Sequence, residues 1–187
     1  MKAQPQPTID ARHIFQCAES FYSTAMLLLS RFPIIPGQPH RIPYDVLAPY
    51  VTNAAFSLEL FFKCIYFLDN NAPISGHKLL TLYSQNLSPG RQKEIDQYAE
   101  YYAQTDDELK SLRIQNPEYR TTIGCLEASD RAFEYYRYIF EGPMLTDKKA
   151  GTYETFELMV QHIILGTRHL IMKIRPDWAK FLSKPPP

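Results

Sequence analysis

Glu59 and Lys63 stand four residues apart, acid first, inside the stretch AFSLELFFKCIYFLDNN, where almost every other residue is apolar or small. On a helix that order forms an ion pair contributing about 0.2–0.5 kcal/mol when exposed. In a dry slot the desolvation of both charges opposes that gain. His77 precedes the apolar run LLTLYSQNL and is expected at the start of a short helix, where a neutral ring could serve in acid–base chemistry. Arg137, in SDRAFEYYRYIFE, falls at the edge of the stripe formed by Phe133, Tyr136 and Phe140, with Glu134 and Glu141 in reach as partners. A carboxylate, an ammonium, an imidazole and a guanidinium in one cleft could bind an anionic partner. If they converge on one phosphate, His77 becomes the candidate acid or base and Arg137 the candidate phosphate holder. The plain alternative is a thin solvated strip with local salt bridges, in which His77 is a packing residue.

Other chemistry finds little support. The chain has no glycine-rich phosphate loop, no Gly-x-Ser-x-Gly elbow and no His-Glu-x-x-His. His162 and His169 share a helix face but lie about 10 Å apart along the axis, too far to hold one metal from a single helix. Neither a metal nor a cofactor is expected. Tyr98, Tyr101, Tyr102, Tyr135, Tyr136 and Tyr138 could stack on bases, but aromatics at helical spacing more often fill a core, and no interleaved basic patch accompanies them.

The elements that must position these residues are all helices. A first helix capped by Thr8 or Asp10 is expected to run to Arg31, with Ile14, Phe15, Ala18, Phe21, Tyr22, Ala25, Leu28 and Leu29 inward. Four prolines in FPIIPGQPHRIPY then impose an extended crossing loop. The second helix is expected to start between Val46 and Pro49 and to end at DNNAP. Around it, Thr52, Glu59, Lys63 and Asn70 fall within a wedge roughly 60° wide, with Tyr66 at its margin. A surface helix shows water a much broader face, so this one must be nearly surrounded.

SGHKLLTLYSQNL reads as a short third helix, with Ser75 or Gly76 before it and His77 at its start. Ser88 and Pro89 open a fourth with Ile95, Tyr98, Tyr101 and Tyr102 inward. TDDELKSLRIQNPEYR reads as a loop or broken helix, and two further helices cover about 121–140 and 153–174. No strand alternation and no repeat is visible. The expectation is an all-α, single-domain bundle of about five to six helices over 8–182, with a disordered N-terminus at 1–7 and a frayed proline-rich tail at 183–187.

The order of these blocks resembles HEPN-like proteins. AFSLELFFKCIYFLDNN followed by GHKLLTLYSQNL is similar to the family's Ala-Phe-x-x-Glu-Leu-x-x-Lys segment and its Gly-His-x-Leu with a short apolar helix. AFEYYRYIFE is similar to the Arg-Tyr-x-x-Glu helix of a bacterial subgroup. The resemblance spans Val46 to Tyr153. It implies a helical bundle that pairs as a homodimer, in a family where many members are ribonucleases of toxin–antitoxin and defence systems and others are inactive binding or scaffolding modules. The ribonucleases carry an Arg, four to six residues, then a His. None of His13, His40, His77, His162 and His169 has an arginine at that spacing. The resemblance therefore implies an atypical or non-catalytic domain that binds RNA, a nucleotide or a protein through Glu59, Lys63, His77 and Arg137. Its rivals are a ribonuclease with a non-standard His77/Arg137 site and a plain dimerising scaffold.

The 187 residues, 45% hydrophobic, suffice for one core. Lys plus Arg (20) balance Asp plus Glu (20), so no overall field draws the molecule to nucleic acid or an anionic membrane, and any such contact is local. The basic end from Arg168 through Lys173, Arg175, Lys180 and Lys184 is expected to be solvated. Cys17, Cys64 and Cys125 lie in apolar stretches without a Cys-x-x-Cys pair, as buried thiols of a cytoplasmic protein do. The apolar runs are expected to be broken by charge before the roughly 20 residues a membrane span needs. On the last helix, Phe156, Val160, Ile163, Ile164, Thr167, Leu170, Ile171 and Ile174 form a core stripe, while Leu158, Leu165 and Met172 recur every seven residues on another side and need a cover. Either segment 32–43 or a second copy of the chain would supply it.

Overall fold

Asp10 caps the first helix, its carboxylate accepting the His13 backbone N–H at 2.8 Å. The computed structural model of the protein describes residues 10–31, 44–129 and 153–183. Arg137 with its neighbours, the proline-rich crossing segment and both chain ends lie outside the described residues. Every regular element among the described residues is helical.

Helix α1, Ala11–Ser30, buries Phe15, Ala18, Tyr22 and Ala25, while Ile14, Phe21, Leu28 and Leu29 are only half-buried. Helix α2, Tyr44–Asn70, begins before the expected window, so Pro49 stands inside it, and the side-chain amide of Asn53 donates to the Pro49 carbonyl at 2.7 Å. The helix stops at Asn71, which takes a left-handed φ of 50° and donates its N–H to the Phe67 carbonyl at 2.8 Å. Contrary to the expectation that charges break the apolar runs, Val46–Asn70 is long and apolar enough to cross a membrane. Within the bundle it is the central helix, packed between α1 and the last long helix.

After the stop, residues 72–78 form neither helix nor strand, with Gly76 at a positive φ of 105°, and α3, Leu79–Thr81, runs directly into a wider π turn, Leu82–Asn86. His77 therefore precedes the helix rather than opening it, and Lys78 takes the cap position without a side-chain bond. Helix α4, Pro89–Ala103, starts as expected, with the Ser88 hydroxyl accepting the Arg91 N–H at 3.4 Å. Its inner face is Ile95, Ala99 and Ala103; Tyr98 and Tyr102 are half-buried and Tyr101 is 62% exposed. The expected tyrosine face is thus displaced, for a steric reason. Gly166 of the last helix approaches α4 so closely that a Cβ there would lie 2.6 Å from the Ala99 nitrogen, a contact with no room for a ring.

Helix α5, Asp107–Gln115, a 3-10 turn Pro117–Arg120 and α6, Thr122–Ser129, follow as separate short pieces. Helix α7, Tyr153–Ile174, has the bounds its periodicity predicts and buries Val160, Ile163, Ile164, Thr167, Leu170 and Ile171. Leu165 and Met172 are half-buried and pack against the same core, so the second stripe is covered in part within the chain. A final 3-10 turn, Pro176–Phe181, presses Trp178 against Phe15 with ring centroids 5.4 Å apart. The expected five or six helices thus become seven α-helical segments among the described residues, because α5 forms within the stretch read as a loop or broken helix.

The cysteines divide unequally. Cys64 and Cys125 are buried, and burial pushes each thiol up to about 12. Cys17, expected to be buried, is exposed because it falls one position outside the inner stripe of α1, beside Ala18.

Candidate functional site

Glu59 lies on the middle of α2 and is 2% exposed. One of its oxygens, Oε1, receives two partners. Lys63, one turn along the same helix, donates from Nζ at 2.7 Å. His77 approaches from the segment before α3 with Nδ1 at 3.0 Å. The left-handed stop at Asn71 turns the chain back, and the buried side chains of Leu79, Leu82 and Tyr83 anchor the far end of the segment, which brings His77 beside α2. Tyr83 packs on Phe62 at 5.7 Å between centroids and donates its hydroxyl to Asp96 at 2.6 Å, which ties this anchor to α4.

The three side chains differ sharply in access. Glu59 is sealed, Lys63 is 16% exposed and His77 is 72% exposed. The polar wedge is therefore a slot with a buried carboxylate at its base and an imidazole at its mouth. With Nδ1–H donating to the carboxylate, the ring is held in one tautomer and its Nε2 faces outward. That atom accepts a proton when the ring is neutral and donates one when it is charged. The Lys63 ammonium offsets the Glu59 charge, so the trio is neutral with a neutral ring and carries one positive charge with an imidazolium. Asn70, on the same wedge, is exposed and donates to the Tyr66 carbonyl at 2.9 Å. The structure thus brings three of the four candidate residues together, and the fourth, Arg137, lies outside the described residues.

Sequence reasoning missed a second buried polar centre. Glu19, 3% exposed on α1, accepts four bonds: Arg168 Nε at 2.6 Å, Arg168 Nη2 at 2.8 Å, the Ser183 N–H at 2.9 Å and the Ser183 hydroxyl at 2.8 Å. The Arg168 guanidinium also lies 4.2 Å over the Tyr22 ring. The signal was present, since Glu19 sits four residues after Phe15 and three before Tyr22, on the apolar stripe itself. The expected solvated basic end is corrected at Arg168, while Lys173 and Lys180 are exposed as expected. Arg168 is largely buried on Glu19, Lys173 reaches Glu94 at 2.9 Å, and Arg175 clasps Asp177 at 2.8 Å.

Two further groups involve the other histidines. Arg113 donates to Glu100 at 2.7 Å and to the Tyr119 carbonyl at 3.0 Å, and its Nη2 lies 3.4 Å from Nε2 of the buried His162. This joint links α5, α4 and α7 in the interior. His169 stacks on Tyr98 at 4.0 Å, with the Tyr102 hydroxyl 3.2 Å from its Nδ1. Among the described residues no group of three or more His, Cys, Asp or Glu side chains is arranged to hold a metal ion. Compared with known protein families, curated proteins and solved structures, the chain matches none.

Proposed function

We propose that the chain is a HEPN-like helical domain that binds RNA without cleaving it, through the slot formed by Glu59, Lys63 and His77 together with Arg137. The observation that carries this reading is the sharing of one buried Glu59 oxygen by Lys63 and His77. A carboxylate sealed in the bundle fixes an exposed imidazole, and the exposed Lys78 follows it in the chain. With the Glu59 charge offset by Lys63, the exposed Lys78 that follows His77 leaves the local balance positive, which suits a phosphate. The block order that resembles HEPN-like proteins makes RNA the preferred anion, with pairing of two copies in the cytoplasm, in a bacterial defence setting, as part of the same reading. The absence of an Arg-x4-6-His spacing favours binding over cleavage.

A second reading has its own support. A carboxylate on Nδ1 with Nε2 turned outward is the arrangement by which acid–base histidines are oriented, so a ribonuclease built on His77 follows from the same contact. One experiment separates them. Fluorescence anisotropy with a labelled single-stranded RNA 20-mer is expected to show binding that His77→Ala weakens about tenfold, or about 1.4 kcal/mol, while gels show intact RNA. RNA cut by the native protein and spared by His77→Ala establishes the ribonuclease instead. No binding, or binding indifferent to His77→Ala and Lys63→Met, rejects both.

A further inference from the structure

At the C-terminal end of α2 a second concavity opens, formed where the start of α1, the end of α2 and the C-terminal 3-10 turn meet. Its volume is about 470 Å³, within the usual range for small-molecule sites. Phe67 and Leu68 of α2 and Phe181 of the turn supply apolar surface. Arg175 lies in the wall with its guanidinium 4.4 Å over the Trp178 ring. Asp177 holds that guanidinium by two bonds, from Nε at 3.0 Å and from Nη2 at 2.8 Å. The plane is thus pinned at its edge by a carboxylate and backed on one face by an indole. Trp178 itself is buried, whereas the Arg175 side chain is 40% exposed, so the part of this stack that a ligand can reach is Arg175.

The charges around it are unequally satisfied. Asp10 is engaged as the cap of α1, and Arg12 meets it only at 3.8 Å. Lys180 lies 5.1 Å over the Phe181 ring. Arg12, Arg175 and Lys180 face two carboxylates, Asp10 and Asp177, both of which already accept closer bonds.

We propose that this concavity is a binding site for a small planar ring bearing an anionic group, with the ring stacked on Arg175 and the anion held by Arg12 and Lys180. Planar rings stack on guanidinium faces, and a guanidinium already fixed in orientation loses little freedom when one does. The anion meets the two cations whose charges are least neutralised. An aromatic carboxylate and a nucleoside monophosphate both present this chemistry. The site is separate from the slot at Glu59 and does not depend on its function.

Trp178 is the only tryptophan of the chain, so its emission reports on the site directly. Titration of the native protein with 4-hydroxybenzoate and with AMP is expected to change that emission saturably, with Kd near or below about 1 mM for at least one of them. Saturation by AMP alone assigns the site to nucleotides, and saturation by the benzoate assigns it to aromatic acids; either supports the proposal. Ribose 5-phosphate, which lacks the ring, and adenosine, which lacks the anion, are expected to bind at least tenfold more weakly than AMP where AMP binds. The double variant Arg12→Glu, Lys180→Glu changes only surface side chains and is expected to weaken binding at least tenfold, as is Arg175→Lys, which keeps the charge but removes the flat face. His77→Ala is expected to leave it unchanged. Calorimetry and emission that show no saturable binding of either aromatic anion up to about 10 mM overturn the proposal, as does binding that the double variant leaves intact.

Discussion

Lys63 and His77 share one Glu59 oxygen but stand in different surroundings, and their removal has different consequences. Lys63→Met leaves a carboxylate that is 2% exposed with the imidazole as its one close charged or ring partner among the described residues. Breaking a buried ion pair from one side costs about 3–5 kcal/mol, so urea unfolding of this variant is expected to show a loss in that range, whereas a loss below about 1 kcal/mol is the mark of a solvated pair. The charged pair was legible in the sequence because the wedge on α2 is too narrow for a surface helix. His77 was legible as a residue type, but its place was not: a bond between positions eighteen apart depends on the stop at Asn71. Glu19 was overlooked because its partner lies on α7, and no spacing rule connects the two.

The buried thiols and Tyr83 give a pH dependence at the same scale. Burial raises Cys64 and Cys125 from their ordinary value to about 12, and burial together with the bond to Asp96 raises Tyr83 as well. A group whose folded pKa lies above its unfolded one contributes stability that is complete below the unfolded value and lost as pH rises through the folded one. Stability measured by chemical unfolding is therefore expected to fall from about pH 9 upward, and Cys64→Ala to flatten that fall. A flat profile between pH 9 and 12 would contradict the burial of these groups.

At the scale of elements, the close contact of α4 with α7 rests on Gly166 and Ala99. Gly166→Ala places a methyl 2.6 Å from the Ala99 nitrogen and 3.1 Å from the Ile95 carbonyl oxygen, both backbone atoms that move only if a helix moves. Despite alanine's better helix propensity, this variant is expected to lose about 1–3 kcal/mol, seen as a lower thermal midpoint. A midpoint that rises instead shows that the helices part freely. The helices themselves were largely readable from caps and period. Asp10 and Ser88 open α1 and α4 as expected, and α7 keeps the predicted bounds. The tyrosine face of α4 was misplaced because the sequence does not show that a glycine on a distant helix draws the backbone of Ala99 inward. The π turn after α3 also left no recognisable signal.

For the whole molecule, the chain is closed by a clasp in which the Glu19 carboxylate joins α1 to Arg168 of α7 and to Ser183 beyond the final turn. Glu19→Ala leaves a guanidinium 15% exposed and unpaired from it, and releases the segment that holds Trp178 against Phe15. The expected outcome is a loss of about 3–5 kcal/mol with a red shift of tryptophan emission before the helices melt. Emission and ellipticity that change together show instead that the turn is not separately held. The all-α architecture followed from the lack of any alternation; the clasp did not, because it is a property of how α1 meets α7 and the turn after it.

Binding of RNA at the Glu59, Lys63 and His77 slot, as proposed above, is tested most directly by a heteronuclear NMR titration of the full chain with the same RNA 20-mer, following histidine ring signals. The His77 ring resonances are expected to shift progressively and saturate while those of the buried His162 stay in place. Saturable binding that moves other signals and leaves the His77 ring untouched would contradict it.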